Sequence, residues 1–119
     1  MININIDEAV AFDMLSIAAV KADRTNDEFA LTSYSNFCDQ IKSVIGSKKF
    51  EDLLKSEKYL ALYQVNSEIW DMVDWIKKTC KKNDPALLID SLNYDRWKLK
   101  KELQKMWFNT EITETKYGY

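Results

Sequence analysis

DEAVAFDMLSIAAVKADR, residues 7–24, is the stretch whose reading decides the fold. At helical spacing Phe12, Leu15, Ser16 and Ala19 share one face, while Val10, Met14, Ile17 and Lys21 fall on the opposite side. A helix that is apolar nearly all round belongs at the centre of a domain rather than on its surface. Asp7 is placed to cap its start. Asp13 breaks the pattern, because a carboxylate buried alone costs several kcal/mol. The stretch therefore predicts a central helix whose buried acid finds a partner elsewhere in the chain.

Outward from it, Thr25 or Asn26 can cap a second helix carrying Tyr34, Phe37, Cys38, Ile41, Val44 and Ile45, and Gly46 ends that helix. KKFEDLLK reads as a short amphipathic turn or helix. Ser56 can cap a long helix to about Lys82, with Leu62, Val65, Ile69, Val73, Ile76 and Cys80 as its stripe. Asn66 lies inside that stripe, and Trp70 and Asp74 flank it. Asn83-Asp84-Pro85 restarts a short helix through Ile89, and Asn93 can cap the last one. MININI and the tail ITETKYGY alternate polar and apolar residues and can pair as short extended segments. With two glycines and one proline in 119 residues, tight turns are scarce and long helices are favoured. The expectation is one all-α domain over residues 1–119, an antiparallel bundle of four or five helices with extended ends.

Composition narrows the function classes. No segment approaches the roughly 18 apolar residues of a membrane span, and the start lacks a basic region and cleavage site, so a cytoplasmic protein away from membranes is expected. Cys38 and Cys80 both sit on apolar stripes and read as buried reduced thiols. Histidine is absent, which removes the usual general base and most transition-metal sites. The net charge of −2 hides an asymmetry: residues 1–40 hold seven acids against two bases, and residues 76–105 nine bases against four acids. The two regions can attract each other in the fold, or the basic one can serve an anionic partner.

NYDRWKLKKELQKMWF, residues 93–108, divides into two faces on a helical wheel. Leu99, Leu103, Met106 and Trp107, with Leu92 before them, form a core stripe from which Arg96 projects. Tyr94, Trp97, Phe108, Lys98, Lys101 and Lys105 gather on the other side, the composition of a single-strand nucleic-acid surface. Lysines on a solvated face and aromatics against a neighbouring helix or second subunit give the same pattern, and the acidic net charge disfavours a nucleic-acid partner.

Asp13, Asn66 and Arg96 are thus polar residues on faces that should be buried, with Asp74 two turns beyond Asn66. One reading is a structural Asp–Arg pair fixing helix register. The other is a pocket in which Arg96 and Lys100, one turn apart, receive a carboxylate or phosphate while Asp13 or Asp74 orients them. Glu68, Asp71 and Asp74 could hold Mg²⁺, though Lys77 and Lys78 neutralise them locally, and no metal or other cofactor is expected.

Three blocks resemble an uncharacterised family of small helical proteins from marine bacteria and tailed phages, some encoded near polysaccharide-biosynthesis genes. They are Asp13, Ser16 and Lys21 in AFDMLSIAAVK, Asn66, Trp70 and Asp74 in VNSEIWDMVDWIKK, and Arg96, Lys100, Glu114 and Lys116 in DRWKLKK and ITETKYGY. The family's glycine opening the first block is absent, and Val73 stands where an acid usually precedes Asp74. The resemblance implies a helical fold and no established activity. The expectation is a non-enzymatic helical module with Asp13, Asn66, Asp74, Arg96 and Lys100 lining its polar centre, binding a protein partner, a second copy of itself or a small anionic ligand. The rivals are an enzyme or accessory acting on phosphorylated sugars, with Arg96 and Lys100 on the phosphate, and a nucleic-acid binder using the last helix.

Overall fold

The structure is a computed structural model that describes residues 2–79 and 84–113. The described residues form five helices, α1 (Glu8–Thr25), α2 (Glu28–Ile45), α3 (Ser47–Leu54), α4 (Glu57–Thr79) and α5 (Asp84–Phe108). As the pattern of residues 7–24 requires, α1 is the central element and packs against α2, α4 and α5. Its partners along α5 run in reverse order, Ala9 with Gln104 and Asp13 with Arg96, so the two helices are antiparallel. The core gathers Ala9, Phe12 and Leu15 of α1 with Ile41, Phe50, Leu53, Tyr59 and Leu103. Phe12 is its hub: the Phe50 ring lies 5.9 Å away and the Tyr59 ring meets it edge-on at 6.2 Å. Such offset and edge-on pairs add to the area term.

The breaks between helices follow from local chemistry. Gly46 takes φ +92 and ψ 150, donates its N–H to the Lys42 carbonyl and opens α3 directly. Ser56 caps α4 as expected, its Oγ accepting from Tyr59 N–H at 3.3 Å. Thr25 and Asn26, by contrast, finish α1 instead of starting α2. Thr25 Oγ1 donates back to the Lys21 carbonyl, and Asn26 adopts the left-handed C-cap conformation with its N–H on Ala22. Asn tolerates that region, so it serves a helix end as readily as a helix start.

Other expectations are corrected. Residues 84–108 form one continuous helix rather than two, and Asn93 lies inside it, its side-chain oxygen accepting from Arg96 Nη1 at 3.4 Å. Asp7 holds the N-cap position of α1 as expected but makes no side-chain capping bond, its carboxylate accepting instead from the N–H and hydroxyl of Thr113 at 2.7 and 2.8 Å. Gln104 supplies the missing acceptor, its Oε1 taking the Ala9 N–H at 2.8 Å. Met14, Val44 and Met106 lie in the open rather than in the core. Among the described side chains of α5 the buried ones are Leu92, Lys100, Leu103 and Gln104. No strand occurs among the described residues; the pairing expected of ITETKYGY, and Cys80, fall outside them. No helix among the described residues is long and apolar enough to cross a membrane.

Candidate functional site

Asp13, one turn beyond Ala9 on α1, is brought against α4 and α5 by the same packing that buries Phe12 and Leu15. The residue is 2% exposed. Arg96 Nε lies 3.0 Å from both Asp13 oxygens, and Nη2 lies 2.7 Å from Oδ2. Lys100 Nζ stands 3.7 Å from Oδ2 and Asn66 Nδ2 donates to Oδ1 at 3.0 Å. Asn66 Nδ2 also meets Ser16 Oγ at 2.7 Å, and that hydroxyl donates onward to the Asp13 carbonyl. A carboxylate reached by forked Arg donors and an amide is the arrangement in which burial of charge is tolerable.

The orientation of the Asn66 amide follows from its partners. An ionised carboxylate only accepts, and the Ser16 hydroxyl has already committed its hydrogen, so both neighbours require donors from Asn66. The NH₂ group therefore points at Asp13 and Ser16, and the carbonyl Oδ1 faces away from them. It accepts no hydrogen bond among the described residues. Arg96 commits Nε–H and one Nη2 hydrogen to Asp13 and one Nη1 hydrogen to Asn93, leaving one hydrogen on each Nη without an acceptor among the described residues.

These two residues form the polar side of a cleft of about 210 Å³ between α1, α4 and α5. Its walls are Ile17 and Val20 of α1 with Ile69, Trp70 and Val73 of α4, and Asp74 and Lys77 also line it. Four of the five expected polar residues thus come together around Asp13, while Asp74 lines the cleft but stays outside that network, 3.0 Å from Lys78. Lys77 forms no ion pair among the described residues. Gln104 is the member that sequence reasoning missed: it is 1% exposed and also donates to Glu8 and Thr110. Its signal was available, since residue 104 follows Lys100 by one turn on the face that carries Arg96.

The three carboxylates weighed for Mg²⁺ are dispersed. Arg24 grips Asp71 with Nε at 3.0 Å and Nη2 at 3.2 Å, holding that carboxyl below its ordinary range. Asp74 pairs with Lys78 and Glu68 accepts from Gln64. No group of three or more potential ligands that could hold a metal ion occurs among the described residues. Cys38 is a free, half-buried thiol pushed up by burial, against which a hydrogen bond from Tyr34 acts. Burial and that same contact push Tyr34 up to about 12.

On the far side of α5, the Tyr94 and Trp97 rings meet at 5.8 Å with their planes tilted by 43°, and Lys101 Nζ lies 5.3 Å over the Trp97 ring. Lys105 pairs with Glu111 at 3.4 Å and Lys98 is exposed. Phe108 leaves this face altogether: it packs on the core cluster with Lys49 Nζ 4.4 Å from its ring centre. The aromatic and basic residues of the last helix are therefore largely engaged with one another or with the core. Comparison with protein-family models, with curated proteins and with solved structures returned no match.

Proposed function

We propose that this chain is a non-enzymatic helical module that holds a small anionic ligand with an apolar body in the cleft between α1, α4 and α5. The observation that carries the reading is the position of Arg96, on the wall of a cleft whose other lining is mostly apolar, with two guanidinium hydrogens uncommitted among the described residues. An apolar cavity with a few convergent polar groups is the usual form of a small-molecule site. A guanidinium fixed by a carboxylate is preorganised to receive a carboxylate or phosphate. Asp13 does not act as a base here, because both of its oxygens already accept from Arg96 and Asn66. Lys77 also lines the cleft and adds a second cation, while the Asp74 carboxylate in the same lining is held by Lys78 at 3.0 Å.

The test is a ¹⁵N NMR titration with small carboxylates bearing branched aliphatic or aromatic bodies. Shifts should concentrate on Ile17, Ile69, the Trp70 indole and Arg96. Val73→Trp, at a position 37% exposed, should fill the cleft and remove them without unfolding the chain. Shifts that are absent, spread over other surfaces or unchanged in the Val73→Trp variant would refute the reading.

A further inference from the structure

Resting on that reading, we infer that the ligand's head group is a carboxylate bearing a hydrogen-bond donor on the adjacent carbon, a 2-hydroxy or 2-amino acid with an apolar side chain. The cleft offers hydrogens from Arg96 and, beside them, an acceptor that nothing in the described chain satisfies. Asn66 is 6% exposed, lies on the cleft wall and has both amide hydrogens committed, so its Oδ1 is the atom left for a ligand. Asn66 Nδ2 and Arg96 Nε each lie 3.0 Å from the same Asp13 oxygen, so the two side chains stand next to each other. One small head group can therefore reach both.

A simple carboxylate satisfies only half of this arrangement. Its two oxygens accept from Arg96, but one of them then faces the Asn66 carbonyl, acceptor against acceptor, while Oδ1 loses access to water. A buried acceptor left unsatisfied costs more than a typical hydrogen bond gains. A hydroxyl or ammonium on the neighbouring carbon resolves the conflict, donating to Asn66 Oδ1 while the carboxylate meets Arg96. Ile17, Val20, Ile69, Trp70 and Val73 then cover the side chain.

The experiment titrates the full chain with three acids of one shape: 2-hydroxy-4-methylpentanoate, leucine and 4-methylpentanoate. At least one donor-bearing acid should bind about tenfold or more tightly than 4-methylpentanoate, the value of one satisfied hydrogen bond. The arm that gains identifies the donor as hydroxyl or ammonium. Equal or tighter binding of 4-methylpentanoate overturns the head-group inference while leaving the cleft as a site for simple carboxylates. Failure of all three to shift the Trp70 indole at millimolar concentration overturns both. Loss of the preferred acid's binding in Val73→Trp is the expected control, and its retention there overturns the assignment to this cleft.

Discussion

Replacing Asp13 by asparagine is the most exacting perturbation of this fold. The change is nearly isosteric, so it leaves no cavity, and its effect isolates the charge. Asp13 is 2% exposed and meets two cations at once, Arg96 with three contacts of 3.0 Å or less and Lys100 at 3.7 Å. Removing one partner of a buried pair costs about 3–5 kcal/mol, because the charge left behind has been withdrawn from water. Asparagine also turns an NH₂ group toward Arg96 or Asn66, donor against donor. For a domain of 119 residues, each kcal/mol lowers the melting temperature by about 4 °C, so the loss is roughly 12–20 °C. Arg96→Met should cost less, because Asp13 then retains Lys100 and Asn66. Urea unfolding followed by far-UV circular dichroism measures both. A loss under about 1 kcal/mol for Asp13→Asn, the scale of a solvent-exposed pair, or a larger loss for Arg96→Met, would refute the account.

Three further expectations follow from single contacts. Gln104→Ala removes the acceptor for the buried Ala9 N–H and the donor to Glu8 and Thr110; about 1–3 kcal/mol should be lost, with faster hydrogen exchange at Ala9 than further along α1. Gly46→Ala should cost about 1–3 kcal/mol by equilibrium unfolding through backbone strain alone, since φ +92 with ψ 150 is glycine territory and an added Cβ meets nothing within 4 Å. Stability should fall as pH rises from about 9 to 12. Cys38, Tyr34, Tyr59 and Tyr63 all have raised values in the fold, so between their unfolded and folded pKa values the native state binds more protons and its advantage shrinks. Urea midpoints that stay level over that window would contradict these environments.

What the sequence could and could not show divides along physical lines. A lone charge inside an apolar stripe is visible without coordinates, which is why Asp13, Asn66 and Arg96 stood out, and Lys100 followed as the next turn from Arg96. Gly46 and Ser56 were legible because their local chemistry has few alternatives. Asn26 and Asn93 were not, because asparagine serves either end of a helix or its interior, and packing decides which. The wheel placed Phe108 among the basic residues because a wheel has no knowledge of α3, whose Lys49 folds over that ring. Met106 was misplaced for a related reason: it is 67% exposed, opening onto a groove that it lines with Ser56, Glu57, Lys58 and Trp107. Asp74 lines the cleft, yet its carboxylate pairs with Lys78 one turn away and not with the cations around Asp13.

The network and the cleft share their parts, which allows their roles to be separated. Arg96 and Asn66 secure Asp13 and also line the cleft, so any single substitution weakens fold and site together. A simultaneous change avoids this. Replacing a buried charged cluster by hydrophobic residues of similar volume is often neutral or stabilising by about 1–4 kcal/mol, because no uncompensated charge remains. The triple variant Asp13→Leu, Arg96→Met, Lys100→Met should therefore fold with a urea midpoint at or above that of the parent, although Asp13→Asn alone falls far below it. If the cluster exists to hold an anion, the folded triple variant should lose binding of every carboxylate while keeping the apolar walls intact. A triple variant that folds and binds as before would refute the role given to Arg96. One that unfolds would show that α1, α4 and α5 depend on these charges for register, and that stability rather than binding keeps them buried.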